Sequence, residues 1–336
     1  MSRPNATILD AEGLRLTPEE KAFFRAADPF GFILFARNVD SADQLRALTS
    51  EMREAVGREA PILIDQEGGR VQRIWPPMAR KWLPPLDFVD QAGASAPRAM
   101  YLRARLIADE LKGYGVDTNC APNLDLARPE THPFLMNRCY GSDPDVVASL
   151  GRATAQGFLD GGVLPVVKHM PGHGLARTDS HHDLPRVSLS LEELSDLDFA
   201  PFRALNDLPM GMTCHIVFDQ VSPEPSTLSP EMIELIRTDM GFDGLLMTDD
   251  TTMKALSGTG PEITRRALNA GCDIVLYCNQ PLADRMKVAE AAGEMSEASM
   301  IRADRALGFR QPPKPLDIAA AEAELDALMG RGPGDD

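Results

Sequence analysis

The densest cluster of reactive side chains lies between Val163 and Pro185, VLPVVKHMPGHGLARTDSHHDLP. Val163 to Val167 is a short apolar run that reads as a buried strand. Lys168 and His169 follow where that strand should end, and a Pro-Gly-His-Gly turn comes next. The loop beyond carries Arg177, Asp179, His181, His182 and Asp183, so four of the chain's six histidines fall within this stretch. Strands are rigid and loops present what they position, so ionisable groups gathered at a buried strand end mark a candidate active site. Asp179 stands two residues before His181. A carboxylate bonded to an imidazole fixes its tautomer and raises its basicity, which makes His181 a candidate general acid/base. The same spacing also fits a turn in which Asp179 accepts backbone amides.

A second chemical signal is Asp249-Asp250, which ends the apolar run Gly244–Thr248. Alternation along a strand would turn one carboxylate to a cavity and leave the other to brace the loop. Such a carboxylate can serve as nucleophile, general base or metal ligand, or the pair can cap a helix beginning near Thr251. Arg73, Arg138 and Lys168 supply donors for hydroxyls or anions. The histidines lack HExxH or a comparable spacing, so no metal is expected. There is no GxSxG elbow, no phosphate-binding P-loop and no GxGxxG after the first strand, which argues against a serine triad and against nucleotide cofactors.

Eight short apolar runs must position these groups: Thr7–Asp10, Gly31–Phe35, Pro61–Asp65, Asp117–Ala121, Leu164–Lys168, Met210–Cys214, Gly244–Thr248 and Asp273–Tyr277. Helical patterns alternate with them, including Pro18–Ala27, Ala42–Val56, Arg98–Lys112, Asp145–Leu159, Leu191–Leu205, Pro230–Met240 and Pro261–Ala270. Ser41 with Gln44 reads as a capping box, and Gly113, Gly161, Gly241 and Gly271 read as helix stops. Strands that are apolar without alternation are buried on both faces, which predicts a parallel sheet covered by helices. Eight is the number that closes a (β/α)8 TIM barrel; an open doubly wound sheet is the alternative, against which stands the missing glycine fingerprint. The expectation is one barrel domain over 1–336, with a terminal helix at Leu316–Met329 and a frayed tail at 331–336. Functional residues should then lie at strand carboxyl ends. These ends read Asp65-Gln66-Glu67-Gly68-Gly69-Arg70, Pro122-Asn123-Leu124-Asp125, Lys168-His169, Thr213-Cys214-His215, Thr248-Asp249-Asp250 and Cys278-Asn279.

Composition narrows the class. The 336 residues are 43% hydrophobic and 25% charged, an ordinary globular balance. A net charge of −16 opposes nucleic acid or an anionic membrane as partner. The five cysteines are odd in number and form no CxxC pair, which fits a reduced, cytoplasmic setting. No apolar leader or membrane-length run occurs.

KHMPGHG followed by DSHHDLP resembles the KHFPGHG…DSH signature of glycoside hydrolase family 3, and in particular its single-domain bacterial β-N-acetylhexosaminidases of peptidoglycan recycling. GFILFARN (Gly31–Asn38), IDQEGGRVQR (Ile64–Arg73), NRCYGSDP (Asn137–Pro144), MTCHIVF (Met212–Phe218), MTDDTTM (Met247–Met253) and AGCDIVLYCN (Ala270–Asn279) extend the likeness in order along the chain. The resemblance implies a retaining exo-β-N-acetylglucosaminidase that needs no cofactor. It implies Asp249 as nucleophile, His181 oriented by Asp179 as acid/base, and Asp65, Arg73, Arg138, Lys168 and His169 as the groups that hold the sugar ring. The implied substrate is a small saccharide, GlcNAc-1,6-anhydromuramyl (peptide), and a monomer is expected. An N-acetylglucosaminide phosphorylase, a β-glucosidase or a catalytically silent sugar-binding protein are the alternatives. Departures are RCYG at Arg138–Gly141 where the family has RSFG, Thr248 where it has Ser, and LART before Asp179. The Trp- and Pro-rich stretch Trp75–Pro85 could line an aglycone site or simply pack.

Overall fold

The computed structural model describes residues 3–176 and 184–330. All eight expected strands are present, at Asn5–Asp10, Pro29–Leu34, Ile62–Ile64, Thr118–Asn119, Leu164–Met170, Met210–Thr213, Leu245–Met247 and Val275–Tyr277. They pair in parallel in chain order, with the eighth beside the first. A parallel bridge between Met247 and Ile274 joins the seventh to the eighth and closes the barrel. Asp273 N–H donates to Leu246 O at 2.8 Å and Thr248 N–H to Ile274 O at 3.0 Å across that joint. With helices following the strands, this is the (β/α)8 architecture expected from the sequence.

The unalternating strands are explained by two apolar layers. Ile8, Leu63, Val166, Met210, Met212, Leu245, Met247, Ile274 and Leu276 fill the barrel interior. Their neighbours Leu9, Ile62, Ile64, Val167, Leu246 and Val275 pack outward against the helices. Met295, Ala303 and Ala306 join the interior cluster, so the helix Glu297–Gly308 plugs the end where strands begin.

Several local expectations are corrected. Ser41 accepts the Gln44 amide at 3.4 Å, but the Gln44 side chain accepts from Asp40 N–H and not from Ser41, so the capping box is not reciprocal. The predicted helix Leu191–Leu205 is two short helices, Leu191–Asp196 and Ala200–Ala204. Pro201 explains the break: it lacks an N–H, and its ring would meet the carbonyl of Leu197 in a continuous helix. A two-stranded parallel pair, Arg186–Val187 with Val217–Phe218, was not legible. Two residues per strand are too few to show a period. The terminal helix spans Ile318–Leu328, and the tail at 331–336 lies outside the described residues. All five cysteines are free and buried. No helix among the described residues is long and apolar enough to cross a membrane.

The plugged end is held by Asp273, which is 2% exposed. It accepts Arg237 Nη2 at 2.6 Å, Ser299 Oγ at 2.8 Å, Arg302 Nη1 at 3.1 Å and the Leu246 amide at 2.9 Å. Removing one partner of a buried pair strands the other, at a cost of about 3–5 kcal/mol. Asp273→Ala is expected to lower the urea unfolding free energy by roughly that amount. Turnover per folded molecule should stay near wild type, because Asp273 lies at the end of the barrel away from the strand carboxyl termini. A variant that stays stable but loses turnover would contradict this division between the two ends.

Candidate active site

The third strand ends at Ile64 and the segment Asp65–Ile74 folds back over the barrel mouth. Gly68 and Gly69 make the reversal with φ of +103° and +59°. A Cβ on Gly68 would meet Arg103 Nη2 at 2.0 Å, so the turn requires glycine for space as well as for conformation. Gln66 is the internal strut. Its Oε1 accepts the amides of Arg73 and Ile74 at 2.9 and 3.1 Å, and its Nε2 donates to Ile74 O at 2.9 Å. Asn119 locks the same segment from the fourth strand, accepting Gln66 N–H at 3.0 Å and donating to Gln66 O at 3.1 Å.

This return brings Arg73 beside Asp65 and builds a line of alternating charges. Arg73 Nη2 bonds Asp65 Oδ2 at 3.0 Å, and Lys168 Nζ bonds Asp65 Oδ1 at 2.9 Å. Lys168 Nζ also lies 2.5 Å from Glu67 Oε1. Arg138 takes Glu67 in a two-point grip, Nη2–Oε1 at 2.7 Å and Nε–Oε2 at 3.0 Å. Lys168 is only 2% exposed. Burial disfavours charge on Glu67, yet Arg138 and Lys168 outweigh it and hold the carboxyl at about 2. Asp65 is half-buried, which disfavours its charge, yet Lys168 and Arg73 hold it well below the usual carboxylate range. Burial works against the Lys168 ammonium, but Asp65 and Glu67 hold it above its ordinary value.

His169 is oriented from the fourth strand's carboxyl end. Asp125 Oδ2 lies 2.6 Å from His169 Nδ1, and a carboxylate can only accept, so the proton sits on Nδ1. Asp125 Oδ1 also accepts the amides of His169 and His173 at 3.3 and 2.7 Å. Across the barrel, Asp249 Oδ1 accepts the Asp250 amide at 2.8 Å. Burial would raise the Asp249 pKa, but the nearby His169 and His215 and the Asp250 amide lower it, so this carboxyl is ionised at neutral pH.

Asp65, Arg73, Arg138, Lys168, His169 and Asp249 all line one cavity of about 280 Å³ at the strand carboxyl ends. Ile33, Met212, Leu276 and Cys278 line it too and belong to the barrel's interior apolar cluster or pack with it, so the core forms its floor. Phe35 and Phe134 line it as well, with Arg73 and Arg37 over the first ring and Arg138 and Arg70 over the second. The volume is at the small end for ligand sites. A polar rim over an apolar floor suits one small hydroxylated ring.

Two expectations change. Asp250 was expected to face away from Asp249, yet both line the cavity. Extended backbone ends at Met247, so strand alternation does not reach them. Asp250 caps a turn and no helix: its Oδ1 accepts Thr252 N–H at 3.0 Å and Thr252 Oγ1 at 2.8 Å, and the next helix starts at Gly260. Asp179 and His181 lie outside the described residues, as do Arg177, His182 and Asp183. Trp82 is core, packed edge-on to Phe88, and neither it nor the half-exposed Trp75 lines the cavity. Sequence reasoning gave no role to Glu67 or Asp125. Glu67 stands in the polar block that follows the third strand, but its pairing with Lys168 and Arg138 depends on the fold-back of Asp65–Ile74. Nothing in the spacing links Asp125 to His169. Among the described residues no group of three or more His, Cys, Asp or Glu is placed to hold a metal.

Glu67→Gln tests the charge line. Glu67 titrates at about 2 when folded against an ordinary 4.5, so on acidification the unfolded chain takes up its proton first. Its contribution to stability is complete above the ordinary value and is lost as pH falls toward the folded one. The variant is expected to be less stable at pH 7 and to lose less stability than wild type between about pH 4.5 and 2 in urea titrations. Parallel pH–stability curves would show that Glu67 does not carry the ionised link.

Residues 13–307 match the Glycosyl hydrolase family 3 N terminal domain. The chain is 38% identical over 291 residues to the β-hexosaminidase of Bordetella avium (strain 197N), covering 84% of this chain and 83% of that protein. It is 35% identical over 355 residues to the β-hexosaminidase of Chromobacterium violaceum (strain ATCC 12472), covering 98% of each. NagZ from Neisseria gonorrhoeae, solved alone and with N-trifluoroacetyl-D-glucosamine, superposes with a TM-score of 0.84 at 32% identity, over 98% of this chain and 97% of that one. With its barrel, its cavity and these relatives together, the chain belongs to glycosyl hydrolase family 3 and is a glycoside hydrolase.

Proposed function

We propose that the protein is a retaining, exo-acting β-N-acetylglucosaminidase. In this reading it removes N-acetylglucosamine from GlcNAc-1,6-anhydromuramyl (peptide) fragments during cytoplasmic cell-wall recycling, acting as a monomer without cofactor. The observation that carries it is the ionised Asp249 in a cavity sized for one sugar ring and ringed by Asp65, Arg73, Arg138, Lys168 and His169. Support for the amino sugar comes from the β-hexosaminidase relatives and from the N-trifluoroacetyl-D-glucosamine that the NagZ neighbour holds.

In the proposed mechanism the Asp249 carboxylate attacks the anomeric carbon and forms a glycosyl ester. His181, oriented by Asp179, protonates the departing oxygen and then takes a proton from the water that hydrolyses the ester. Retaining glycosidases usually employ two carboxyl groups. An imidazole in place of one brings no negative charge toward the acceptor, which is the feature that would admit phosphate in the alternative reading as a phosphorylase.

Asp249→Ala is expected to reduce turnover to background while the protein stays folded by circular dichroism; persistent activity would remove Asp249 as nucleophile. His181→Ala should slow substrates with poor leaving groups by about 10²–10⁴-fold and activated aryl glycosides far less, because acid assistance matters most when the leaving group is basic. Equal slowing on both would count against the acid role. Aryl β-N-acetylglucosaminide should be cleaved in strong preference to the β-glucoside, at a rate unchanged by phosphate. Release of sugar 1-phosphate would make it a phosphorylase, preference for glucose a glucosidase, and no turnover a sugar-binding protein.

A further inference from the structure

His215 is a buried imidazole that the proposed mechanism does not use. It lies two residues beyond the sixth strand and is 1% exposed. Its Nε2 is 3.0 Å from Asp250 O, and its Nδ1 is 2.7 Å from Thr227 Oγ1. A carbonyl only accepts, so Nε2 carries a proton and donates it to Asp250 O. Burial pushes the ring's pKa down, and in the neutral ring Nδ1 is then the acceptor. The single hydroxyl proton of Thr227 therefore goes to Nδ1, although Cys214 O is also within reach at 3.0 Å. Thr213 Oγ1, 2.7 Å away, supplies Thr227 in turn. Thr213, Thr227 and His215 thus form a one-directional line of donors that ends on the carbonyl of the turn bearing Asp249.

The other side of that turn is held by the eighth strand. Thr251 N–H and Oγ1 both donate to Leu276 O at 3.0 Å, and Thr248 Oγ1 accepts the Leu276 amide at 2.9 Å. Among the described residues the hydrogen bond that orients Asp249 comes from the Asp250 amide, and nearby charges such as Lys168 act on it without such a bond. The peptide unit beyond Asp250 is what the imidazole holds. A shift of that carbonyl would swing the amide that holds Asp249 Oδ1.

We propose that His215, oriented by Thr227, is a positioning residue that fixes the Asp249–Asp250 turn from the sixth-strand side and so sets the aim of the nucleophilic carboxylate. This rests on the assignment of Asp249 above. It differs from the role of Lys168, His169 and the arginines, which face the ring of the sugar. Loss of His215 or of its orientation should slow bond formation at the anomeric carbon and leave ring binding intact.

The experiment compares Thr227→Val, Thr227→Ser, His215→Asn and His215→Gln with wild type and Asp249→Ala. Two quantities are read: kcat/KM on an aryl β-N-acetylglucosaminide, and the inhibition constant of free N-acetylglucosamine. Thr227→Val keeps the shape and removes the hydroxyl; His215→Gln keeps a donor long enough to reach Asp250 O, and His215→Asn does not. Expected are losses of about 10- to 100-fold in kcat/KM for Thr227→Val and His215→Asn, the order of effect of misplacing a reacting group by 1 Å. Thr227→Ser and His215→Gln should recover most of the rate, and N-acetylglucosamine affinity should stay within about twofold of wild type throughout. Thermal melts exclude misfolding; if His215→Asn melts early, Thr227→Val carries the test. Rates within about twofold of wild type for Thr227→Val, or affinity falling in step with rate, would overturn the proposal. Activity surviving in Asp249→Ala would overturn the nucleophile assignment instead, and the two failures are separately visible.

Discussion

The constraint on which the mouth of this barrel depends is that Lys168 is charged while almost wholly buried. An ammonium removed from water is tolerable only against carboxylates, and it has two, Asp65 and Glu67. Glu67 is itself buried and Asp65 half-buried, and each answers to a second cation, Arg138 or Arg73. Five side chains from three separate segments therefore stabilise one another, and none can be ionised in place alone. The line is rigid for that reason. It gives a ring of fixed donors without requiring ligand to organise them, which is how electrostatic preorganisation is obtained in a small cavity.

The surrounding fold is built to keep that line in register. Gln66 and Asn119 tie the return segment to the third and fourth strands, and the two glycines let it pass close over Arg103 and Pro84. Asp125 turns His169 from the next strand over. At the opposite end Asp273 gathers Arg237 and Arg302, a charge cluster that secures the helix Glu297–Gly308 as a plug. The barrel thus has one end specialised for holding together and one for chemistry, in keeping with its architecture generally.

Much of this was legible because strands and their ends leave plain marks. Runs such as Leu164–Val167 and Leu245–Met247 are apolar at every position, and the change to Lys168-His169 or Asp249-Asp250 is abrupt. Of the proposed ring-holding residues, Asp65, Arg73, Lys168 and His169 came from such ends or from the block after Asp65, Arg138 from the block Asn137–Pro144, and the fold brings them to one cavity. What stayed hidden depends on contacts between distant segments. That Arg138 pairs with Glu67, 71 residues earlier, or Asp125 with His169, 44 residues later, has no local signature. Phe35 and Phe134 look like any core aromatic until the loops place them at the rim. The break at Pro201 has a local mark in the proline, but the helical period on both sides of it masks the break.

The joint that closes the barrel has a further meaning. The other strand pairs share two or more registered positions, but the seventh and eighth share the single bridge at Met247 and Ile274. Asp249 stands two residues past that bridge, and the threonines on either side of the carboxylate pair, Thr248 and Thr251, are among the groups that stitch the joint. Registered pairing is therefore shortest where Asp249 is carried, and the hydrogen bonds of Thr248, Thr251 and Asp273 complete the seam there. Local opening follows the regions with fewest protecting contacts, ahead of global unfolding. Those side-chain bonds protect the seam, so loss of the Thr248 and Thr251 hydroxyls would loosen the turn that carries Asp249 ahead of the rest of the barrel. The hold on that turn would then rest on two hydroxyls, and the melting of the barrel would come later.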